Sequence, residues 1–545
     1  MRGIRWIIGE DGALKLWVMA IIVAIFWGGE YWRRQLWEPD EARYAYVSTE
    51  MQQDGHWLVP HRNREYYAHK PPLMFWLINA ASVLNGGEIN QVTTRIPTWL
   101  GTSLSLWATG RIAAMLFGGT AGLMAPALLA VSALFWRLSG AGHIDGLLCG
   151  LQMLAFWLLL SASRETASRP GLRRVGAYLA MGLAVLSKGP VGLLVPLGAW
   201  VAFCLFSGCR SRRQQWHCIW GIPLALLPTA LWLGSIVYFN AAPDGYFDEL
   251  LFKQNIGRAS GSFAVGHKRP FWYFFVYFFG DFMPWTPLFP AALIALRRDN
   301  DVRRMARGVA AWGLFVLFFF TLSTTKRNLY TLMAYPAAAI LLAAGWDRIR
   351  NAPVRMRIVS QRLLAGILIL AGVVMASAEG VMALLQKAAP VSLMALIPGG
   401  CVLLLAGIVL LRTTHDQNLT RWLATAAGGI AYTLAITAFL LYPVLNTVKT
   451  PHALVAAAKT RLPAHQDLLL YRIHGEIQAL YCRTRGRQYH NPTALVEAMR
   501  AQQTGMVVLE SSRFHEIAEV PEVKASECGH FNMGQKEMLW IAFKR

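Results

Sequence analysis

Apolar stretches of about 16 to 24 residues recur along the chain as far as residue 441, each long enough as a helix to cross roughly 30 Å of hydrocarbon. They predict about thirteen membrane spans, near 14-30, 94-116, 122-138, 146-163, 175-187, 190-207, 218-239, 271-296, 308-322, 331-346, 363-385, 392-411 and 422-441. The first is flanked by Arg2, Arg5 and Lys15 without a small-residue cleavage site, and is expected to stay as a signal anchor. From about 443 onward the pattern changes. Short strand-like pieces (DLLLYRI, MVVLESS, MLWIAF) alternate with a helical one (PTALVEAMRAQQ), which predicts a small α/β domain. The expected division is a membrane domain over 1-442, including a long loop at 31-93, and a C-terminal domain over 443-545.

Composition fits that picture. Of 545 residues, 55% are hydrophobic and 21 are Trp, more apolar side chain than one soluble domain can hide. The formal charge of +22 would point to nucleic acid in a soluble protein. Here it is concentrated in loops between apolar stretches, so it reports topology and lipid phosphate, and no nucleic-acid partner is expected. Loops 164-174, 208-217, 297-307 and 347-362 are strongly basic and fall on one side of the count, which assigns that side to the cytoplasm. Loops 31-93, 139-145, 240-270 and 323-330 and the last hundred residues then face the periplasm. The seven Cys show no zinc or haem spacing, and five of them (Cys149, Cys204, Cys209, Cys218, Cys401) lie in or beside apolar stretches. Cys482 and Cys528 share the external domain, where a disulfide is open to them.

The residues able to carry chemistry lie in the external loops. Glu38-Pro39-Asp40-Glu41-Ala42-Arg43-Tyr44 reads as a helix start with acids in its first turn, which capping alone would explain. Two carboxylates just beyond a membrane span also suit a general base or a metal ligand. Tyr66-Tyr67-Ala68-His69-Lys70-Pro71-Pro72 brings a cation and aromatics to the interface, either as a snorkelling Lys or as a phosphate ligand. Lys253 and Arg258, His267-Lys268-Arg269, and Lys326-Arg327 add cations from two further external loops, and solvated loops are the simpler reading of each. Three loops together resemble a phosphate-binding surface. Asp145, beside His143, and Lys188 are ionisable groups at the ends of spans, where burial is costly enough to point to function.

No Walker loop and no G-x-G-x-x-G after a strand is present, and the cytoplasmic loops are too short for a nucleotide-sugar domain. A nucleotide cofactor is therefore not expected. Energy for external chemistry has to arrive in an activated membrane lipid, and a divalent metal is left open.

Glu38-Pro39-Asp40-Glu41-Ala42-Arg43-Tyr44, His69-Lys70-Pro71-Pro72, Ser187-Lys188-Gly189-Pro190, Pro270-Phe271-Trp272-Tyr273 and Lys326-x-x-x-Tyr330 with Pro336 resemble, in that order, motifs of the bacterial dolichyl-phosphate-mannose protein mannosyltransferase superfamily. Within it the chain is most similar to the lipid A aminoarabinose transferases. The resemblance implies the all-α C-type glycosyltransferase fold, with juxtamembrane helices in the first loop, and transfer of a sugar from a polyprenyl-phosphate carrier to lipid A or another periplasmic acceptor. It implies that Asp40 is the loop carboxylate required for transfer, with Glu41 beside it, and Asp145 a second carboxylate. Lys70 and Arg258 would hold the carrier phosphate with Tyr330 nearby, and Arg43, Tyr44, His143, Lys188, His267 and Lys326 are candidates for substrate contact. Pro71-Pro72-Leu73 stands where Pro-Ile-Ala-Gly is typical, which leaves the donor sugar open between 4-amino-4-deoxy-L-arabinose, another amino sugar and a hexose. A transporter or flippase, or an assembly protein, would also carry many spans. Neither accounts for functional residues gathered in external loops, and no internal repeat of the transporter kind is found.

Overall fold

The computed structural model describes residues 33–164, 168–208, 216–257, 269–385, 391–415, 418–463, 466–502, 504–524 and 526–544, without the side chains of 254–256. The predicted first span at 14-30 and the residues Arg258 and His267 lie outside this set. In chain order the elements begin with α1 (Asp40–Asp54), the hairpin β1 (His61–Arg62) and β2 (Glu65–Tyr66), and α2 (Leu73–Ser82). The long helical series follows: α3 (Gln91–Phe117), α4 (Gly119–Ala130), α5 (Ala133–Ser139), α6 (Ile144–Ala162), α7 (Pro170–Lys188), α8 (Val191–Ser207), α9 (His217–Tyr238), α10 (Tyr273–Asp281), α11 (Phe289–Arg298), α12 (Asn300–Thr321), α13 (Ala334–Asp347), α14 (Val354–Leu384), α15 (Ile397–Arg412) and α16 (Leu419–Lys449). The tail contributes α17 (His452–Arg461), β3 (Leu468–Tyr471), α18 (Glu476–Tyr481), β4 (Gly486–Tyr489), α19 (Pro492–Ala501), β5 (Thr504–Glu510), α20 (Pro521–Lys524), β6 (Glu527–Met533) and β7 (Lys536–Lys544).

Every predicted span within the described residues falls mainly on helix, with two breaks: 122-138 is split between α4 and α5 at residues 131–132, and 271-296 between α10 and α11. The stretch 271-296 is expected as one helix, but α10 ends at Asp281 and α11 restarts at Phe289. Pro284 and Pro287 lie in that interval and Pro290 in the first turn of α11, and each removes a backbone donor and restricts the residue before it. Six helices among the described residues are long and apolar enough to cross a bilayer: α6, α9, α12, α14, the segment Met394–Arg412 that contains α15, and α16. The pair α4–α5, bent by 71°, would supply a seventh. The remaining predicted spans correspond to shorter or more polar helices, such as α8 with 17 residues and α3, which carries Thr93, Thr94, Arg95 and Arg111.

The described residues form two compact units, one drawn from 69–74 and 95–441, the other from 33–68, 75–94 and 442–544. In the first, helices approach through small residues. A Cβ on Gly150 of α6 would lie 2.1 Å from the Gly101 carbonyl oxygen of α3, and one on Gly101 would lie 2.4 Å from the Leu147 Cα. Only glycine permits that approach, and it fixes where α6 begins and hence where Asp145 sits.

In the second unit a five-stranded sheet runs in the order β4-β3-β5-β7-β6, parallel across β4, β3 and β5 and antiparallel across β5, β7 and β6. Strand periodicity builds its two faces. Leu468, Leu470, Met506 and Val508 pack with Ala42 and Leu454 on one face, while Leu469, Tyr471, Val507 and Leu509 pack with Leu495 and Met499 on the other. Residues 33–68 and 75–94 of the first loop belong to this unit. The pattern of apolar spans assigns that loop to the membrane domain instead, because pattern carries no information about pairs separated by hundreds of residues. The Asn446 side chain accepts from the Gln35 N–H and the Trp37 ring N–H, each at 3.1 Å, and donates to the Arg33 carbonyl at 2.8 Å. Cys482 and Cys528 are both free thiols in the structure, so the bridge left open above is not formed.

Candidate functional site

In the second unit the acids of α1 are buried and engaged by arginines. Pro39 occupies the position before the helix, Asp40 and Glu41 form its first turn, and neither provides a side-chain cap from the N-terminal position. Asp40 is 7% exposed and lies 3.5 Å from Arg43 Nη1. Arg43 Nε in turn donates to Glu476 Oε1 at 3.1 Å, and Arg62 Nη1 reaches the same oxygen at 3.5 Å. Glu41 differs from Asp40: Arg34 Nη2 donates to both of its oxygens at 2.9 Å, and its Oε2 accepts from the Trp37 N–H at 3.3 Å. Glu41 thus ties the entering chain to the helix, whereas Asp40 sits in a network of two arginines and a second carboxylate. Tyr44 is buried with its ring edge-on to Phe75, a packing position. Burial raises the Tyr67 hydroxyl above its ordinary range, and the nearby Arg43 and Arg62 oppose that rise. Glu476 could not be read from sequence, because it lies 433 positions from Arg43 in an otherwise ordinary helix start.

In the first unit Asp145 stands in the first turn of α6 and Lys188 at the end of α7. The Lys188 ammonium donates to Asp145 Oδ1 and lies 4.7 Å from the centroid of the Tyr330 ring. Their side chains are 13% and 6% exposed, so the pair is largely dry and each charge depends on the other. A cation against an aromatic face adds attraction, more so when desolvated. Three residues selected separately from sequence are therefore in contact. His143 precedes α6, and its carbonyl accepts from the Thr98 hydroxyl at 2.9 Å. Lys326 is 5% exposed, donates to the Ser323 and Arg269 carbonyls, and has its ammonium pKa lowered by burial. Lys70 is half-buried beside His69, whose Nε2 lies 3.4 Å from Glu249 Oε1.

Sequence reasoning passed over Asp281. It ends α10 and accepts from the Asn328 side chain at 3.2 and 3.1 Å and from the Tyr335 hydroxyl at 3.4 Å. It thereby anchors the turn Asn328–Thr331 that presents Tyr330. A lone acid within an aromatic run (YFFVYFFGD) was the available signal. Among the described residues no group of three or more His, Cys, Asp and Glu is arranged to hold a metal ion.

The chain superposes on ArnT from Cupriavidus metallidurans in the apo state and bound to undecaprenyl phosphate, with TM-scores of 0.79 and 0.78, 19% identity, and 98% of both chains covered. It has the C-type glycosyltransferase fold and is a multi-pass inner-membrane protein. Residues 69–233 match the family described as dolichyl-phosphate-mannose-protein mannosyltransferase. The chain is similar to the undecaprenyl phosphate-alpha-4-amino-4-deoxy-L-arabinose arabinosyl transferase of Erwinia tasmaniensis, at 31% identity over 322 residues, covering 57% of this chain and 55% of that one. It is likewise similar to arabinosyl transferase 1 of the same description from Pseudomonas fluorescens, at 28% over 342 residues, covering 62% and 57%. The match thus spans little more than half the length of these relatives. The likeness to aminoarabinose transferases, read from short motifs, is borne out by both sequence and fold.

Proposed function

We propose that the protein transfers a sugar from a polyprenyl-phosphate carrier to an acceptor at the periplasmic face, with 4-amino-4-deoxy-L-arabinose as the first candidate sugar and lipid A as the first candidate acceptor. The observation that carries the reading is the fold shared along nearly the whole chain with an ArnT bound to undecaprenyl phosphate, together with relatives named as arabinosyl transferases that use that carrier. In the reaction the bond between the anomeric carbon and the carrier phosphate oxygen breaks, a bond from that carbon to an acceptor oxygen forms, and the polyprenyl phosphate leaves. Its departure requires cations to neutralise growing negative charge, the role given to Lys70 and Arg258 with Tyr330 nearby. Lys188, ion-paired with Asp145, lies against the Tyr330 ring and helps to fix the position of that tyrosine.

Asp40 takes one of two roles. With a hydroxyl acceptor it removes the proton as general base. With a phosphate acceptor the nucleophile is already anionic, and Asp40 orients the donor amine or hydroxyls.

Purified protein incubated with radiolabelled polyprenyl-phosphate sugars and extracted lipid A should move label to lipid A, preferring the aminoarabinose donor. Lys70→Ala and Arg258→Ala should each weaken carrier binding by about 2 to 5 kcal/mol, the range for removing one side of a desolvated charged contact. Carrier lipid that crosses a vesicle bilayer without any transfer of label would instead mark a flippase.

A further inference from the structure

At the far ends of α3, α6 and α7 from Asp145 lies a cavity of about 380 Å³ lined by Arg111, Arg164, Arg173, Ser161, Trp157 and Met115 among others. Ser161 and Asp145 stand at opposite ends of α6, about 24 Å apart at 1.5 Å per residue, so the cavity is separate from the cluster around Asp145. Three guanidiniums converge on one small volume. Arg173 is held in place, its Nη1 donating to the Ser161 carbonyl at 3.1 Å and its Nη2 to the Ser168 hydroxyl at 3.2 Å. Arg111 and Arg164 are exposed and form no ion pair among the described residues. Like charges gathered this way repel unless an anion joins them, and a phosphate offers arginine the oxygens for paired hydrogen bonds.

The apolar wall narrows the class of anion. Trp157 meets Trp107 edge-on, with ring centroids 4.7 Å apart, and Trp107 is 46% exposed one helical turn before Arg111 on α3. Indole rings one turn deeper than a ring of arginines form the side-chain profile of a headgroup boundary, with cations at phosphate level and Trp at the acyl shoulder. A soluble phosphate would use the cations alone and leave the indoles idle. Loop 164-174 is also one of the basic loops assigned to the cytoplasmic side, where anionic lipids attract basic pockets between helices.

We propose that this cavity binds the phosphate of an anionic glycerophospholipid in the cytoplasmic leaflet, with the headgroup on Arg111, Arg164 and Arg173 and an acyl chain along Trp107 and Trp157. The test is lipid retention by native mass spectrometry of the full chain taken from mixed phosphatidylglycerol and phosphatidylcholine nanodiscs. The readout is the phosphatidylglycerol-to-phosphatidylcholine ratio within each protein, so a change in yield or stability cancels. Wild type should select phosphatidylglycerol, and Arg111→Gln combined with Arg164→Gln should lower that selectivity about thirtyfold, at roughly fivefold per basic side chain near an anionic headgroup. Trp107→Ala should weaken retention of phosphatidylglycerol, and inorganic phosphate should not displace it. Undiminished selectivity in the double arginine variant would overturn the site. Displacement by inorganic phosphate, or full retention in Trp107→Ala, would overturn its assignment to a lipid.

Discussion

Glu50 shows how a single buried acid sets a condition on the whole second unit. It is 1% exposed on α1 and accepts from the Tyr46 hydroxyl at 2.8 Å, while that hydroxyl accepts from the Gly486 N–H of β4 at 2.8 Å. Burial pushes the Glu50 carboxyl from 4.5 up to about 7, against the opposing hydrogen bond from Tyr46. The folded state therefore holds this proton more tightly than the unfolded chain. Its contribution is complete below pH 4.5 and is lost as pH rises through about 7. Thermal melting of the purified protein across that window should show stability falling with pH, and Glu50→Gln should flatten the trend. A variant that keeps the full slope would assign the dependence elsewhere. Cys482 behaves differently: burial lifts its thiol to about 12, so it is expected to remain unreactive near neutral pH. Legibility at this scale was uneven. Asp145, Lys188 and Tyr330 stood out as polar groups at the edges of apolar runs and proved to be in contact, whereas Glu476 and Asp281 matter through partners that sequence does not bring near them.

Among the elements, α3 and α6 carry the clearest packing constraint. Gly101, Gly146 and Gly150 let the two backbones meet, and a Cβ on Gly146 would lie 2.6 Å from Thr98 Cγ2. Gly150→Leu should destabilise the helical unit by about 1 to 3 kcal/mol or more and displace Asp145 from Lys188, since a backbone oxygen at 2.1 Å cannot yield as a flexible side chain would. A lower melting temperature with reduced transfer checks it, and a variant of ordinary stability would contradict the close approach. The pieces DLLLYRI, MVVLESS and MLWIAF were recognisable as strands because their apolar runs are buried on both sheet faces. Strands β4 and β6 escaped notice because they form the sheet edges and mix exposed polar residues with few buried ones. Helix α19 was legible for the opposite reason: Asn491 accepts from the Thr493 N–H at 2.9 Å at its start, and Pro492 occupies the first turn.

On the scale of the whole molecule, length and periodicity placed most of the described membrane helices and missed the breaks within 122-138 and 271-296. They could not assign residues 33–68 and 75–94 to the unit containing the tail, because that grouping rests on pairs such as Arg64 with Asp467 at 2.8 Å. The alternation of basic loops gives the orientation its own test. Single cysteines in 164-174 and 297-307 should resist a membrane-impermeant reagent in intact spheroplasts, and the exposed Cys528 should react; the reverse pattern would invert the topology and remove the periplasmic reaction. The most direct test of carrier-dependent sugar transfer uses Asp40, which is buried next to Arg43. Asp40→Asn keeps the size and hydrogen-bonding shape of the side chain and removes its charge. In a single-turnover assay with labelled undecaprenyl-phosphate aminoarabinose and lipid A, the wild type should transfer label, while Asp40→Asn should bind the carrier lipid normally and transfer about 100-fold to 10,000-fold more slowly. Near-wild-type transfer by folded Asp40→Asn protein, or no transfer by the wild type from any polyprenyl-phosphate sugar, would contradict the account.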